Sequence, residues 1–390
     1  MIVLIDILFL FELFYSTLAI DCIGVDISHV ALFEQENVVY RDYDGQPCDP
    51  FTLIKRHGIN CVRLRLFTSN EQQVLSHPYD FAPTLKHTLS LARRAKENNL
   101  RILLDFHYSD TWADPGHQEK PSKWIELDFN QLKRRLYEYT RDSVQAFVDQ
   151  ETKPEFVQVG NEITAGILWP DGKSSNWTQF GSLLRAAIKG VRDASRQSKI
   201  ILHITRATNW LGTKWFFDHT ITDEIIDFDI IAQSYYPFFH GSLAALNDCL
   251  RRTAERYKKP IIIAETAFPW TNLTSSDLLV KNMTGFDTNP LGQVNYISAL
   301  SHILENLPEK RGLGIFWWAA EYQPVPKYPH LGDFELRSFF NATGHPLPIL
   351  RIFGGLLENS AKPPMPIYLI GPIMTILTWI CMNKLIRRCR

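Results

Sequence analysis

Apolar and polar positions alternate in two rhythms along the chain. Short β-rich apolar runs recur at 23–27 (IGVDI), 61–67 (CVRLRLF), 101–106 (RILLDF), 156–160 (FVQVG), 200–204 (IILHI), 229–234 (DIIAQS), 260–264 (PIIIA) and 313–318 (LGIFWW). Between them lie amphipathic stretches of helical period, such as 83–97, 131–149 and 178–194. Strands separated by helix-length segments imply parallel βαβ units. Eight such strands predict an α/β fold of the (β/α)8 TIM barrel type. A doubly wound open sheet has the same alternation, but no GxGxxG follows any strand, which counts against a dinucleotide fold.

The polar residues favour the barrel. Barrel chemistry sits at the C-terminal ends of the strands. Here those ends carry Asp26, Arg63 and Arg65, Asp105 with His107, Asn161 with Glu162, His203, Ser234 to Tyr236, Glu265, and Trp317 with Trp318. A single polar strand end means little, whereas a full ring of them indicates a site. Glu162 closes the fourth predicted strand and Glu265 the seventh, so the two carboxyls converge over the barrel mouth. A facing pair of carboxyls can act as general acid and nucleophile on a glycosidic bond, and a retaining mechanism requires a separation of about 5–5.5 Å. One must be protonated, its pKa raised by burial and by the other's charge, and the other must be ionised. Arg63 and His203 are donors suited to keeping Glu265 ionised. Asn161 is suited to the sugar 2-hydroxyl. Two solvated loop glutamates are the ordinary alternative, and the apolar run directly before each argues against it.

The two ends read differently from the middle. Residues 1–19 (MIVLIDILFLFELFYSTLA) are almost wholly apolar, and Ser16, Thr17 and Ala19 offer small residues for cleavage after Ala19. That predicts a secretory signal peptide. Asp6 and Glu12 interrupt the run and no cation precedes it, so an uncleaved anchor is the alternative. At the other end, residues 366–382 (PIYLIGPIMTILTWICM) are 17 uncharged positions, followed by Lys384, Arg387, Arg388 and Arg390. The length is the short limit of a membrane-spanning helix, and the cations sit where a cytoplasmic tail carries them. The expected organisation is a signal at 1–19, a hydrolase-like barrel at 20–355, a stalk at 356–365, a transmembrane helix at 366–382 and a basic tail at 383–390. This describes a type I cell-surface protein. A lipid-anchor signal is the alternative, although such signals end in their apolar tail.

Composition narrows the partners. Among 390 residues, Lys+Arg 41 and Asp+Glu 42 leave a net charge of −1, so no basic excess exists to hold nucleic acid. Ten Trp and 12% aromatic residues are plentiful, and sugar clefts use them. Cys22, Cys48, Cys61 and Cys249 permit two disulfides in an oxidising compartment. Cys22 and Cys61 open the first two predicted strands, which neighbour each other in a barrel, so their pairing is one of the possibilities. No CxxC or His-rich spacing suggests zinc. Sequons stand at Asn176, Asn272, Asn282 and Asn341, in agreement with secretion. No cofactor and no metal are expected, and a monomer is expected.

At this point the motifs match a known family. The run Asp105 to Lys120 (DFHYSDTWADPGHQEK) resembles the signature of the arabinogalactan endo-β-1,4-galactanases, glycoside hydrolase family 53. Further pieces follow in order: Gly24 to Ser28, Val62 to Arg65, Val159 to Glu162 with Gly166 to Gly172, Ser234 to Phe238 with His240-Gly241, Glu265 to Trp270, and Gly312 to Phe316. The resemblance covers about residues 22–353. It implies that Glu162 is the acid/base and Glu265 the nucleophile of a retaining hydrolase of β-1,4-linked galactan. It also implies cleft positions for Arg63, His107, Asn161, His203, Tyr236 and Trp318. Asp26 and Trp112, inside matched motifs, join them, with Trp112 and Trp169 as sugar-stacking candidates. Trp210 and Trp215 read equally well as rim packing, and the charged stretch 132–142 reads as a solvated helix face.

There are departures. Phe67 stands where the family often has Trp, Thr205 to Thr208 replace a turn after His203, and Ala319-Ala320-Glu321 follow the last strand's Trp. These bear on subsite contacts. Residues 271–290 hold only Asp277 and Asp287, so the calcium loop of some bacterial members is not expected. The alternatives are hydrolysis of another β-1,4 glycan and a non-catalytic cell-surface carbohydrate receptor. The second predicts loss of a catalytic carboxylate, and both carboxylates are present.

Overall fold

The structure, a computed structural model, describes residues 20–271, 277–328, 331 and 333–357. The expected signal peptide, transmembrane helix and basic tail, nearly all of the stalk, and Asn272 lie outside the described residues.

Eight parallel strands close into a barrel. They are β1 (Cys22–Asp26), β2 (Cys61–Leu66), β3 (Arg101–Phe106), β4 (Phe156–Val159), β5 (Lys199–Ile204), β6 (Ile230–Ser234), β7 (Ile261–Thr266) and β8 (Gly312–Trp317), with β8 pairing back onto β1. Each matches a predicted apolar run to within a residue or two. The strands are buried on both faces, as a parallel sheet wrapped by helices requires, which is why they read as continuous apolar runs. Outside them run α1 (Pro50–Arg56), α2 (Leu85–Glu97), α3 (Phe129–Asp149), α4 (Trp177–Ala194), α5 (Trp210–Asp218), α6 (Leu243–Tyr257), α7 (Pro290–Glu305) and α8 (Pro348–Gly354). Local chemistry sets where these helices start. Asp49 caps α1 with Pro50 at its first position, and Asp128 and Gln131 form a reciprocal capping box on α3. A short hairpin, Gly166–Ile167 with Gly172–Lys173, rises from the loop after β4.

Two apolar layers hold the barrel. The larger packs the outward strand faces against the helices. The smaller lies inside, where Cys22, Cys61, Leu103, Phe156, Ile201, Ile262 and Phe316 close the N-terminal end. Cys22 and Cys61 are joined there by a disulfide, with Cα atoms 6.1 Å apart. The four cysteines do not make two bridges: Cys48 is half-buried and free, and Cys249 is buried and free. Above the apolar plug the inward positions turn polar. On β2 the inward series is Cys61, Arg63, Arg65, and on β5 it is Ile201, His203.

β7 departs from strict alternation. Ser234 pairs with Glu265 directly after Gln233 pairs with Ile263, so Ala264 is an extra residue. The same slip is seen against β8. A bulge of this kind re-aims the side chain that follows it. Without it Glu265 would share the outward face of Ile261 and Ile263.

Gly24 on β1 leaves room for the inner plug, since a Cβ there would lie 2.3 Å from the ring of Phe316. Gly24→Val is therefore expected to destabilise the barrel by about 1–3 kcal/mol through overpacking. The measurement is the denaturant midpoint, and an unchanged midpoint would show that Phe316 does not fill this space.

Candidate active site

The polar upper half of the barrel is organised around Arg63. Its Nη1 donates to Asp26 Oδ2 at 2.9 Å. Its Nη2 lies 2.8 Å from Glu265 Oε1, from Asp105 Oδ2 and from Asn161 Oδ1. The guanidinium is fully buried, and the surrounding carboxylates raise its pKa above the ordinary value despite that burial. Glu265 Oε2 accepts a second hydrogen bond, from the Tyr236 hydroxyl at 2.8 Å. Burial and the nearby carboxylates push the Tyr236 phenol well above its usual pKa, so it stays a donor.

Glu162 is held differently. Gly160 and Glu162 both take left-handed backbone angles, φ +83° and +49°. A glutamate rarely adopts that region, and here it turns the side chain over the barrel mouth. Glu162 Oε1 lies 2.6 Å from Ser234 Oγ, and no cation pairs with it among the described residues. Burial raises both carboxyls. Glu162 is raised furthest, because the charge of Glu265 adds to its burial, whereas Arg63 and Tyr236 pull Glu265 back down. The two titrate as a pair.

A cavity of about 480 Å³ opens above these groups. It is lined by Glu162, Glu265, Asn161, His107, Trp112, Tyr236 and Trp318 among others. Two of these are the acid pair, and the other five are residues expected to reach the cleft. His107 Nδ1 accepts from the Ala113 amide at 2.8 Å, so its Nε2 is the donor to Asp105 at 2.9 Å. Asn161 Nδ2 donates to Ala113 O at 2.8 Å, which leaves its second amide hydrogen for the cavity. Trp112 and Trp318 sit with ring centroids 6.1 Å apart, and Trp112 lies over the Arg65 guanidinium at 4.4 Å. Phe67 packs edge-on against both His107 and Trp112, so the ring at that position supports the cavity wall.

Three expectations need correction. Asp26, Arg63 and His203 do not line the cavity: they are at most 1% exposed and bonded to other side chains beneath its floor. His203 does not bond Glu265. Its Nδ1 faces Asn161 Oδ1 at 3.0 Å and its Nε2 faces Ser234 Oγ at 2.8 Å. Trp169 stands outside the cavity, half-buried, with its indole N–H donated to Ala165 O at 3.0 Å. Trp215 packs on Trp177, away from the site. Of the sequons, Asn176 and Asn282 are exposed, and Asn341 is half-buried with its carbonyl oxygen taken by backbone amides of Thr343 and His345.

Other contributors have no individual role in the sequence reading, although Arg65, Asp105 and Ser234 are among its polar strand ends. Ser234, Arg65, Asp105 and Gln158 carry the network, and Phe239, His240 and Phe334 add to the cavity wall. The i, i+2 spacing of Arg63 with Arg65 and of Asp105 with His107 is the signal that was available, since it puts both members on one face of a strand. Glu321, one of the departures, is buried and accepts from the His29 amide at 3.0 Å. Burial, with the charge of Asp26, raises its carboxyl to about 8. Among the described residues no cluster of His, Cys, Asp or Glu is arranged to hold a metal ion, and no helix is long and apolar enough to cross a membrane.

Comparison with known proteins places this site in a lineage. The pattern of glycosyl hydrolase family 53 matches residues 22–353. An arabinogalactan endo-β-1,4-galactanase of Thermothelomyces thermophilus is 33% identical, over 85% of this chain and 98% of its own. One from Cellvibrio japonicus is also 33% identical, over 87% of this chain and 92% of its own. Among solved structures, the Ignisphaera aggregans GH53 catalytic domain superposes with a TM-score of 0.79 at 33% identity, covering 85% of this chain and 95% of that one. This chain belongs to glycosyl hydrolase family 53.

Proposed function

We propose that the protein is a retaining glycoside hydrolase that cleaves β-1,4-galactosidic bonds in galactan, with Glu162 as acid/base and Glu265 as nucleophile. The observation that carries the assignment of roles is the unlike environment of two carboxyls lining one cavity. Glu265 has a guanidinium on one oxygen and a phenol on the other, which suits a carboxylate. Glu162 has a lone hydroxyl and the repulsion of its neighbour, which suits a carboxylic acid. The choice of galactan follows from the activity of the relatives.

In this reading Glu265 attacks the anomeric carbon while Glu162 protonates the departing oxygen. A covalent glycosyl-enzyme forms, and Glu162, now a carboxylate, takes a proton from the water that breaks it. Trp112 and Trp318 offer ring faces to the CH groups of the sugar. Asn161 gives its remaining amide hydrogen to the sugar 2-hydroxyl. Asp26, Arg63 and His203 act through the residues they hold.

The ends of the chain complete the proposal. Residues 1–19 direct entry to the secretory pathway, the barrel at 20–355 is displayed outside the cell, 356–365 is a stalk, and 366–382 anchors it with 383–390 in the cytoplasm. Glycans on Asn176, Asn272, Asn282 and Asn341 accompany that route.

Glu162→Gln is expected to lower kcat on linear β-1,4-galactan by about 10²–10⁴-fold, the usual contribution of a general acid. Glu265→Gln is expected to remove turnover while leaving oligosaccharide binding. Near-normal activity in either variant would refute its assigned role, and release of sugar from mannan or cellulose but not from galactan would refute the substrate.

The charge coupling is testable separately. In Glu265→Gln the repelling charge is gone, so Glu162 should titrate at lower pH than in the parent protein, read by carbon-13 NMR of the glutamate carboxyls. An unmoved titration would mean that Glu265 does not set the acidity of Glu162.

For the anchor, the full chain should stay with cell membranes after a high-pH carbonate wash, and a chain stopped before residue 366 should not. Equal release of both chains would remove the membrane assignment.

A further inference from the structure

Asn161 sets the direction of a hydrogen-bond chain behind Glu162. Its Nδ2 donates to Ala113 O at 2.8 Å, and its Oδ1 accepts from Arg63 at 2.8 Å. A guanidinium can only donate, so the orientation of the amide is settled. The atom that faces His203 Nδ1 at 3.0 Å is therefore an acceptor, and Nδ1 must carry a hydrogen. His203 is fully buried, and burial together with the charge of Arg63 holds its imidazole well below its ordinary pKa. A neutral ring has one N–H only, so Nε2 is a bare acceptor.

The group opposite Nε2 is Ser234 Oγ at 2.8 Å. A hydroxyl has a single hydrogen. If that hydrogen serves Nε2, the lone pairs of Oγ face Glu162 Oε1 at 2.6 Å. An ionised Glu162 would meet them oxygen to oxygen, whereas a protonated Glu162 donates into them.

We infer that His203 and Ser234 are positioning residues that keep Glu162 protonated between turnovers: His203 Nε2 draws the Ser234 hydrogen away, and Ser234 Oγ accepts the hydrogen of Glu162. The inference rests on the reading of Glu162 as the acid/base. During glycosylation the proton of Glu162 goes to the glycosidic oxygen, the bond from that oxygen to the anomeric carbon breaks, and its electron pair stays with the departing oxygen. The Ser234 hydroxyl then rotates and donates to the new carboxylate. His203 Nε2 is left without a donor until water returns a proton to Glu162 and the hydroxyl turns back. No proton changes owner at Ser234 or His203. The state with an unfilled buried acceptor is the less stable one, which favours return of the proton.

The other charged and titratable groups facing this chain are Glu265 on β7, Arg63 on β2, His107 and Asp114 after β3, and Tyr236 and His240 after β6. All of them remain in the variants that test it.

The test is the pH dependence of kcat/KM for Ser234→Ala in the full chain. Under the inference a protonated Glu162 loses its acceptor, so the alkaline limb moves to lower pH, by about one unit. If Ser234 merely donates to an ionised Glu162, the same change moves the limb to higher pH. A shift upward, or none, overturns the inference. Ser234→Thr keeps the hydroxyl and should return the limb towards its original place, and a limb no better restored than in the Ala variant also counts against it. Nitrogen-15 NMR of the unaltered protein gives an independent reading: His203 should show a protonated Nδ1 and an unprotonated Nε2, and a protonated Nε2 overturns the inference. The underlying reading is checked with Glu162→Gln on an activated aryl galactoside. A persisting alkaline limb there overturns the acid/base role itself, a result distinct from either shift in Ser234→Ala.

Discussion

The guanidinium of Arg63 touches one group from each of four other strands or strand ends: Asp26 of β1, Asp105 of β3, Asn161 after β4 and Glu265 of β7. A buried cation is tolerable only when paired and hydrogen-bonded, and the same is true of each carboxylate around it. The two sides are therefore mutually dependent. Asp26 in turn takes Arg65, which supports Trp112 from below. Counting charges shows why the acidity of Glu162 follows. Asp26, Asp105 and Glu265 bring three negative charges and Arg63 and Arg65 two positive ones, so the buried cluster is already negative by one. A further carboxylate at Glu162 would have no cation of its own. Burial and repulsion act in the same direction there, while at Glu265 they oppose a cation and a phenol.

Backbone geometry makes that arrangement possible. A barrel interior alternates in period two, and such a repeat alone would present Glu265 outward with Ile261 and Ile263. The extra residue at Ala264 reverses the parity at the point where a carboxyl is needed. On the opposite side of the mouth, the left-handed angles of Gly160 and Glu162 do a similar service after β4. Both strand ends that carry the acidic pair thus depart locally from ideal backbone geometry. The apolar plug of Phe316, Phe156, Leu103 and the Cys22–Cys61 disulfide lies at the other end, where nothing but packing is required.

Much of this was legible in the order of residues. The eight apolar runs, their spacing and the polar residue at each strand end are local properties, and a parallel barrel converts them directly into a ring of functional groups. Glu162 and Glu265 could be singled out because each closes a predicted strand just after a mainly apolar run. The cleft role given to His203 was not borne out by its position, because strand-end placement does not tell the floor of a cavity from the layer beneath it. Trp169 looked like a stacking platform because it lies inside a matched motif on an upper loop, and a hairpin not readable from periodicity carries it outside the cavity.

What the sequence determined by itself is therefore the fold class, the family and the identity of the acidic pair, since hydrophobic period and motif order are carried by neighbours in the chain. What only the tertiary structure decided is which partner each side chain has: Arg63 and Tyr236 for Glu265, Ser234 for Glu162, Asn161 and Ser234 for His203. Those contacts join residues tens of positions apart, through one bulge and one left-handed turn that shift side chains between faces. A hydrogen bond depends on such shifts at the scale of an ångström, and the pattern of apolar and polar positions carries no information that fine.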